Sequence, residues 1–181
     1  MYKKLSVLIP VYNERDTIRQ CIDAVLKADT RNLELEVIIS DNNSSDGTKE
    51  ILSKIQDKQI KILYRDNNNG KGANIKNALA NATGDLILFQ DGDLEYSPKD
   101  FPDLIEPFFL YRADVVYGSR LTRAKATSIV GFPNYIANLL VTFLTNALYN
   151  KVFSDIATGY KVFKSDVIKN LKITSDGFEI E

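Results

Sequence analysis

Residues 86–93, LILFQDGD, place two carboxylates one residue apart, directly after a run of four apolar residues. The run predicts a short buried strand, and the polar residues mark its carboxyl end. Two carboxylates this close repel each other unless a cation or water lies between them, and Mg²⁺ or Mn²⁺ suits carboxylate and phosphate oxygens. An isolated Asp-Gly-Asp is more often a solvated acidic turn. Because a buried strand precedes it, we interpret Asp91 and Asp93 as metal ligands, Gly92 as room for a diphosphate, and Glu95 as a candidate third ligand.

Three more apolar runs precede this strand, and apolar residues at helical spacing separate them. Alternating strands and helices predict βαβ units, a mainly parallel sheet covered by helices on both faces, and ligands at the carboxyl ends of the strands. The length fits one domain, residues 1–181. Strands are predicted at residues 5–9, 35–39, 60–63, 86–89 and 114–117, helices around 18–26, 51–55, 75–82 and 99–111 and from 134, and a last strand and helix within 159–171.

Polar clusters follow the first two strands. Tyr12 offers a ring for stacking, and Glu14 offers acceptors for ribose hydroxyls, although Asn13 could instead cap an ordinary strand-to-helix turn. Asp41 could accept a hydrogen bond from a nucleotide base. Asp46 is better explained as a helix cap. These clusters are consistent with a nucleotide site at the strand ends.

Two basic segments are candidates for binding phosphate. Gly70-Lys71-Gly72 opens a helix, where free N–H groups and a lysine favour anions, but it is too short for a Walker loop. Arg120 follows the fifth strand and could hold a phosphate through its planar guanidinium, with Arg123 and Lys125 close by. A lone arginine after a strand is more often a surface residue.

The composition excludes several classes of function. With 23 basic and 24 acidic residues, the net charge of −1 indicates no nucleic-acid partner. The absence of histidine rules out mechanisms that need an imidazole. The single cysteine predicts a protein of a reducing compartment, and we expect Cys21 to lie in the core. No signal peptide is visible, so we expect the protein in the cytoplasm. No segment reaches the roughly 20 apolar residues of a membrane span.

The motifs together resemble the family 2 glycosyltransferases of the GT-A fold, specifically the dolichyl- or polyprenyl-phosphate sugar synthases. Each motif is modest, but the ordered set is specific and runs over nearly the whole chain. The matching segments are 6–14 (SVLIPVYNE), 41–48 (DNNSSDGT), 69–72 (NGKG), 84–85 (GD), 91–98 (DGDLEYSP), 118–120 (GSR) and 158–163 (TGYKVF).

The resemblance implies roles for individual residues. Pro10, Tyr12, Glu14 and Asp41 would surround the base and ribose, and Arg120 would lie near the phosphates. Asp91, Asp93 and Glu95 would hold the metal on the diphosphate, although relatives often have glutamine in place of Glu95. Residues 155–163 would line the sugar and acceptor site. The closing segment 177–181 resembles the start of a family helix that normally continues, so we expect a chain truncated at the C-terminus.

The resemblance also implies a reaction, an inverting and metal-dependent hexosyl transfer from a UDP- or GDP-sugar. With a hydroxyl acceptor, Asp155 is our candidate base, beside Asp93 and Arg120 as candidate catalytic residues. A polyprenyl phosphate acceptor is already an anion, and residues 135–153 could then meet the lipid at the inner face of a membrane. The same stretch could equally be a core helix.

Three alternatives stay open. Within the family, the acceptor could be a glycan. A nucleotidyltransferase would also use carboxylates and a metal, but it usually has a glycine-rich basic motif after the first strand. The third alternative is a non-catalytic module that binds nucleotide sugars.

Overall fold

One six-stranded sheet organises residues 1–119 and 132–177, the part of the chain that the computed structural model describes. The strand order is β3-β2-β1-β4-β6-β5. The strands are β1 (Lys4–Val11), β2 (Glu34–Asp41), β3 (Ile60–Tyr64), β4 (Leu86–Phe89), β5 (Val115–Tyr117) and β6 (Lys161–Lys164). The helices are α1 (Ile18–Leu26), α2 (Thr48–Leu52), α3 (Lys71–Leu79), α4 (Phe101–Leu110, after a 3₁₀ turn at Pro98–Asp100), α5 (Phe132–Tyr149) and α6 (Ser165–Asn170).

The sheet is buried on both faces because its central strands are apolar at nearly every position. Alternate residues of β1 enter two different clusters: Val7 packs with α1 and α4, whereas Leu8 packs with α3. Helix α1 buries Ile18, Cys21, Ile22 and Val25, but Leu26 is only half-buried. The predicted mainly parallel sheet with flanking helices is therefore confirmed.

Strand β6 runs against the others, and this reversal positions the site. It pairs antiparallel with both β4 and β5, while β1 to β4 are mutually parallel. Lys161, at the start of β6, lies opposite Phe89 and Tyr117, which end their own strands. The segment that enters β6 therefore reaches the sheet edge at which the parallel strands end.

Two of the predicted helix caps can be compared with the structure. Asn13 does not cap α1, since that helix begins five residues later at Ile18, with Thr17 as its N-cap. Its backbone is left-handed (φ 57°), and its side-chain oxygen accepts a hydrogen bond from Ser45 N at 2.9 Å, linking the loops after β1 and β2. Asp46 lies one residue before Gly47, the N-cap of α2, but its Oδ1 accepts from the N–H of Thr48, the first residue of that helix, at 3.0 Å.

Helix α5 exposes most of its apolar side chains and buries two polar ones. Its 18 residues include no charged side chain, and two of its polar residues, Asn138 and Thr142, face the protein. Most of its apolar side chains are exposed instead: Tyr135, Ile136, Leu139, Leu140, Val141, Phe143, Leu144, Leu148 and Tyr149. Within the ranges 1–119 and 132–177, no helix combines the length and apolar character needed to cross a bilayer. The helix is thus an exposed apolar surface.

The half-buried carboxylate of Glu36 ties β1 and β2 to the turn before β4. Burial alone would raise the pKa of Glu36, but hydrogen bonds from Ser6, from the N–H and hydroxyl of Thr83, and from Lys4 outweigh it and lower the pKa from 4.5 to about 2. A carboxyl whose folded pKa is depressed stabilises the fold above its unfolded pKa, and this contribution is lost as the pH falls from about 4.5 towards 2.

We therefore expect Glu36→Gln to lower the free energy of unfolding at pH 7 by about 1–3 kcal/mol. The difference from the unmodified protein should shrink as the pH falls from 4.5 to 2. Urea unfolding at a series of pH values measures both effects. Glu34→Gln is the matched control on the same strand, because the Glu34 side chain is 71% exposed. A constant difference across that pH range would contradict the assignment.

Candidate functional site

A cleft of about 320 Å³ opens at the carboxyl ends of β1, β2 and β4, beside the first turn of α3. Seven of the residues proposed from the sequence line it: Pro10, Tyr12, Glu14, Lys71, Asp91, Gly92 and Asp93. Tyr12 is 48% exposed, so its ring is available to a ligand. The structure thus brings the nucleotide and metal candidates from three separate loops into one cavity.

The acidic side of the cleft is built on the turn after β4. A Cβ on Gly92 would lie only 3.4 Å from Glu14 Cγ, so Glu14 packs directly against this turn. Lys71 Nζ lies 2.9 Å from Asp91 Oδ1, and Asp93 is exposed. The arrangement presents carboxylates with one ammonium group among them, which suits a ligand that carries both phosphate and a bound cation.

A divalent cation fits this donor set. Carboxylate oxygens are hard ligands, and Mg²⁺ is commonly held by one or two carboxylates, with substrate phosphates and water completing its coordination. Asp91 and Asp93 supply such a pair. In the described part of the chain, no three acidic or cysteine side chains are grouped as a complete metal site. The metal role of Asp91, Asp93 and Glu95 therefore stays a prediction, and Glu95 does not line the cleft.

Asp91 is held by its neighbours on both sides. Gln90 Nε2 donates to the Asp91 carbonyl at 2.8 Å, while Gln90 Oε1 accepts from the Tyr160 hydroxyl at 2.7 Å. Burial raises the pKa of Tyr160, so this phenol stays neutral and keeps donating. A Cβ on Gly159 would lie 2.6 Å from Asp91 Oδ2 and 2.8 Å from the ring of Tyr96. The segment that enters β6, at Gly159 and Tyr160, thus packs behind the Asp91 turn.

The start of α3 differs from the sequence prediction of an open anion site. The N–H groups of Gly72 and Ala73 donate to the carbonyls of Gly177 and Asp176, each at 3.1 Å. A Cβ on Gly72 would meet the Ser175 carbonyl at 2.5 Å. The chain's own backbone therefore occupies these N–H groups. Because Gly72 has no side chain, the start of α3 can approach residues 175–177 closely. Of this segment, Gly70 and Lys71 line the cleft, and Gly72 does not.

Two other proposed residues, Asp41 and Asp155, do not line the cleft, and a third, Arg120, cannot be placed relative to it because it lies outside the described residues. Asp41 ends β2 and is fully buried, with its Oδ2 accepting from Ser44 N at 3.2 Å. Asp155 is 1% exposed, and its Oδ1 accepts from Asn138 Nδ2 at 2.8 Å. Arg120 lies outside the described residues, as do Arg123 and Lys125. The roles of Asp41, Asp155 and Arg120 stay predictions.

Several lining residues were not proposed from the sequence, and most of them are asparagines: Val11, Asn42, Asn68 and Asn74. Gly70, which belongs to the predicted phosphate-binding segment, also lines the cleft. Asn74 had a visible signal, because it stands four residues before Ala78 on the buried stripe of α3, where an apolar residue is expected. Asn42 Nδ2 donates to Asn68 Oδ1 at 2.6 Å, a contact between two loops that no local pattern predicts.

The pKa of the buried Cys21 thiol responds to the negative charge of the cleft carboxylates. Its pKa rises from 9.0 to about 12, first because it is buried and then because the carboxylates of Asp93, Asp91 and Glu14 disfavour a thiolate. We expect 5,5′-dithiobis(2-nitrobenzoate) to leave Cys21 unmodified at pH 8 in the folded protein and to react fully in urea, since only the thiolate attacks. Fast reaction without denaturant would contradict this environment.

A family model described as "Glycosyl transferase family 2" matches residues 6–172, nearly the whole chain. The chain belongs to this family. Two characterised relatives have similar sequences. A dolichol-phosphate mannosyltransferase of Pyrococcus furiosus is 24% identical over 180 residues, which cover 98% of this chain and 51% of the relative. A dodecaprenyl-phosphate galacturonate synthase of Rhizobium johnstonii is 25% identical over 177 residues, covering 96% of this chain and 51% of the relative.

Both relatives are about twice as long as the region they share with this glycosyltransferase. The sequence resemblance to polyprenyl-phosphate sugar synthases is thereby confirmed, at low identity. In these relatives the shared region accounts for only half of the enzyme.

Solved structures show the same GT-A fold. Glucosyl-3-phosphoglycerate synthase from Mycobacterium tuberculosis superimposes with a TM-score of 0.72 at 22% identity, over 99% of this chain and 62% of that one. Another structure of that synthase, with a TM-score of 0.70 at 22% identity over 93% of this chain and 58% of that one, contains Mn²⁺ and UDP. TarS from S. aureus superimposes with a TM-score of 0.63 at 20% identity, over 92% of this chain and 48% of that one. The predicted fold is therefore confirmed.

Proposed function

We propose that this family 2 glycosyltransferase moves a sugar from a UDP- or GDP-sugar to a polyprenyl phosphate, with inversion at the anomeric carbon. The observation that carries the proposal is the cleft. It collects Tyr12 and Glu14 from the end of β1, Lys71 from α3, and Asp91 and Asp93 from the end of β4. A nucleoside diphosphate needs a ring to stack on its base, an acceptor for its ribose hydroxyls and positive charge for its phosphates. Tyr12, Glu14 and Lys71 can supply these, and the two aspartates can supply ligands for a metal on the diphosphate.

In this proposal each residue acts on the donor. Tyr12 stacks on the base, Glu14 accepts from the ribose hydroxyls, and Lys71 pairs with the diphosphate. Mg²⁺ or Mn²⁺ on Asp91 and Asp93 would neutralise charge on the departing nucleoside diphosphate. Gln90 and Gly159 keep the Asp91 turn in a fixed position, so little reorganisation is needed as that charge develops.

The acceptor is proposed from two further observations. Both characterised relatives are named for transfers that involve a dolichol or dodecaprenyl phosphate. Helix α5 supplies an uncharged surface with nine exposed apolar side chains, which suits contact with a lipid or a membrane surface. The burial of Asp155 and its hydrogen bond to Asn138 make it a poor base for a hydroxyl acceptor. A phosphate acceptor needs no base.

Donor binding can be tested by thermal shift with UDP, GDP and their sugars, each with and without Mn²⁺. A ligand at 100 times its Kd stabilises a protein by about 2.7 kcal/mol, so we expect the melting temperature to rise by about 5–10 °C. The rise should require Mn²⁺. A folded protein that no nucleotide stabilises would contradict the proposal.

Acceptor choice can be tested by transfer of radiolabelled sugar to dolichyl or undecaprenyl phosphate in detergent, in parallel with soluble oligosaccharides. We expect label in the lipid fraction that is stable to base and released by mild acid, as for a glycosyl phosphate. Label in the oligosaccharide fraction alone would favour the glycan acceptor, and donor binding without transfer to any acceptor would favour a binding module.

A further inference from the structure

Three buried polar atoms lack a hydrogen-bond partner within residues 1–119 and 132–177, and all three lie at one corner of the sheet. They are Asp41 Oδ1 at the end of β2, Arg65 Nε just after β3, and Asn74 Oδ1 in α3. Asp41 and Asn74 are 0% and 2% exposed. A buried polar group without a partner is costly, so a cluster of them indicates a place where a ligand supplies the missing hydrogen bonds.

Backbone contacts hold the three residues together. Arg65 N donates to the Asp41 carbonyl at 3.0 Å, and Arg65 Nη1 donates to the Ala73 carbonyl at 2.8 Å, next to Asn74. Asn74 Nδ2 donates to the carbonyl of Ser40, the residue before Asp41, at 2.7 Å. Asn74 also lines the cleft. The corner therefore adjoins the cavity in which the nucleotide is proposed to bind.

The Asn74 amide has a fixed orientation. Its nitrogen donates to two carbonyls, Ser40 O and Val11 O (3.3 Å), which can only accept. The amide therefore cannot flip without losing both bonds, and Oδ1 is left as an acceptor. An ionised Asp41 offers a second acceptor, and Arg65 Nε–H offers one donor.

This inventory of one donor and two acceptors distinguishes among nucleotide bases. The Watson–Crick edge of guanine presents one acceptor (O6) and two donors (N1–H and the N2 amine), which is its complement. Uracil presents two acceptors around a single N3–H, and cytosine presents two acceptors and one amine. With either pyrimidine, at least one of the protein's two acceptors would stay unpaired, at the cost of a buried polar group.

We propose that Asp41, Arg65 and Asn74 read the base edge of the donor and select a guanosine diphosphate sugar. Solvent does not reach the three atoms and only Asn74 borders the cleft, so the strand ends and α3 would have to part for the base edge to reach them. Asn74 supplies the second acceptor, the one that separates guanine from uracil. The inference rests on the proposed function, because it requires that this cleft binds a nucleoside diphosphate.

Isothermal titration calorimetry with GDP, inosine diphosphate and UDP, each with Mn²⁺, tests the inference on the unmodified protein. Inosine diphosphate lacks only the exocyclic amine of guanine. Since a site built to hydrogen-bond a polar group rejects analogues without it, we expect GDP to bind on the order of 100-fold more tightly than UDP and on the order of tenfold more tightly than inosine diphosphate. Equal or tighter binding of UDP, or equal binding of GDP and inosine diphosphate, overturns it.

Asn74→Ala should bring the affinities for GDP and UDP to within a few-fold of each other. The matched control is Asn77→Ala in the same helix, where Asn77 Nδ2 donates to Ser40 Oγ at 2.9 Å but does not line the cleft. The Asn77→Ala protein should keep the full preference for GDP. Thermal unfolding checks that both variants are folded. A folded Asn74→Ala protein with the original preference overturns the role of Asn74. If the unmodified protein binds none of the three nucleotides, the proposed function itself fails.

Discussion

Asp93→Ala is expected to lower the rate of sugar transfer by a factor on the order of 10³ while leaving the fold intact. The Asp93 side chain is exposed and lies in the turn after β4, where its Oδ1 accepts from Glu95 N at 3.0 Å. Substitutions at such positions usually change stability by less than about 0.5 kcal/mol. The loss of activity would therefore report on the proposed metal and diphosphate contact.

The measurement is the initial rate of transfer at several Mn²⁺ concentrations, together with the Mn²⁺-dependent thermal shift. We expect Asp93→Ala to lose both at any concentration of metal. Asp23→Ala is the matched control, because Asp23 lies on α1 and pairs with Arg19 (N–O distance 3.2 Å) away from the cleft. If Asp93→Ala keeps a Mn²⁺-dependent shift with the nucleotide, the metal assignment is wrong.

Gly159→Ala is expected to lower kcat by a factor on the order of 10². The added methyl group would lie 2.6 Å from Asp91 Oδ2 and 2.8 Å from the Tyr96 ring, closer than real side chains approach each other. The backbone at position 159 is not in the left-handed region, so the effect comes from space alone. Either Asp91 or the β6 entry must move, and an Asp91 carboxylate displaced by about 1 Å would no longer hold the proposed metal correctly on the diphosphate.

Steady-state kinetics on Gly159→Ala, with unfolding measured in parallel, separates positioning from stability. Overpacking should cost about 1–3 kcal/mol of stability, which leaves the protein folded at 25 °C if its stability is in the ordinary range. Ser154→Ala, an exposed change in the same segment, should behave like the unmodified protein. An unchanged kcat in folded Gly159→Ala would show that Gly159 does not position Asp91.

The fold could be predicted largely from the sequence, because the buried strands are continuous apolar runs and turn residues separate them. The strand order could not. Nothing in residues 161–164 says that this strand runs backwards between β4 and β5, since pairing depends on contacts distant in sequence. Apolar periodicity also predicted helix α5, but it could not say which face of that helix meets the protein.

Some features of the candidate site could likewise be predicted from the sequence, and others could not. The Asp91-Gly92-Asp93 turn was predictable because its residues are adjacent and follow a strand. The closed first turn of α3 was not, because its N–H partners, Asp176 and Gly177, are about a hundred residues away. The Asn42–Asn68 and Asn74–Ser40 bonds likewise join separate loops.

The reversal of β6 has a consequence for how such a protein can diversify. The cleft draws its lining from residues 10–93, whereas the segment leading into β6 arrives at the same edge from the second half of the chain. Within the described residues, Gln90, Asp91 and Tyr96 contact this segment at Gly159 and Tyr160. Under the proposed function, the second half of the chain could change its loops, and with them the acceptor, while the first half keeps its nucleotide site.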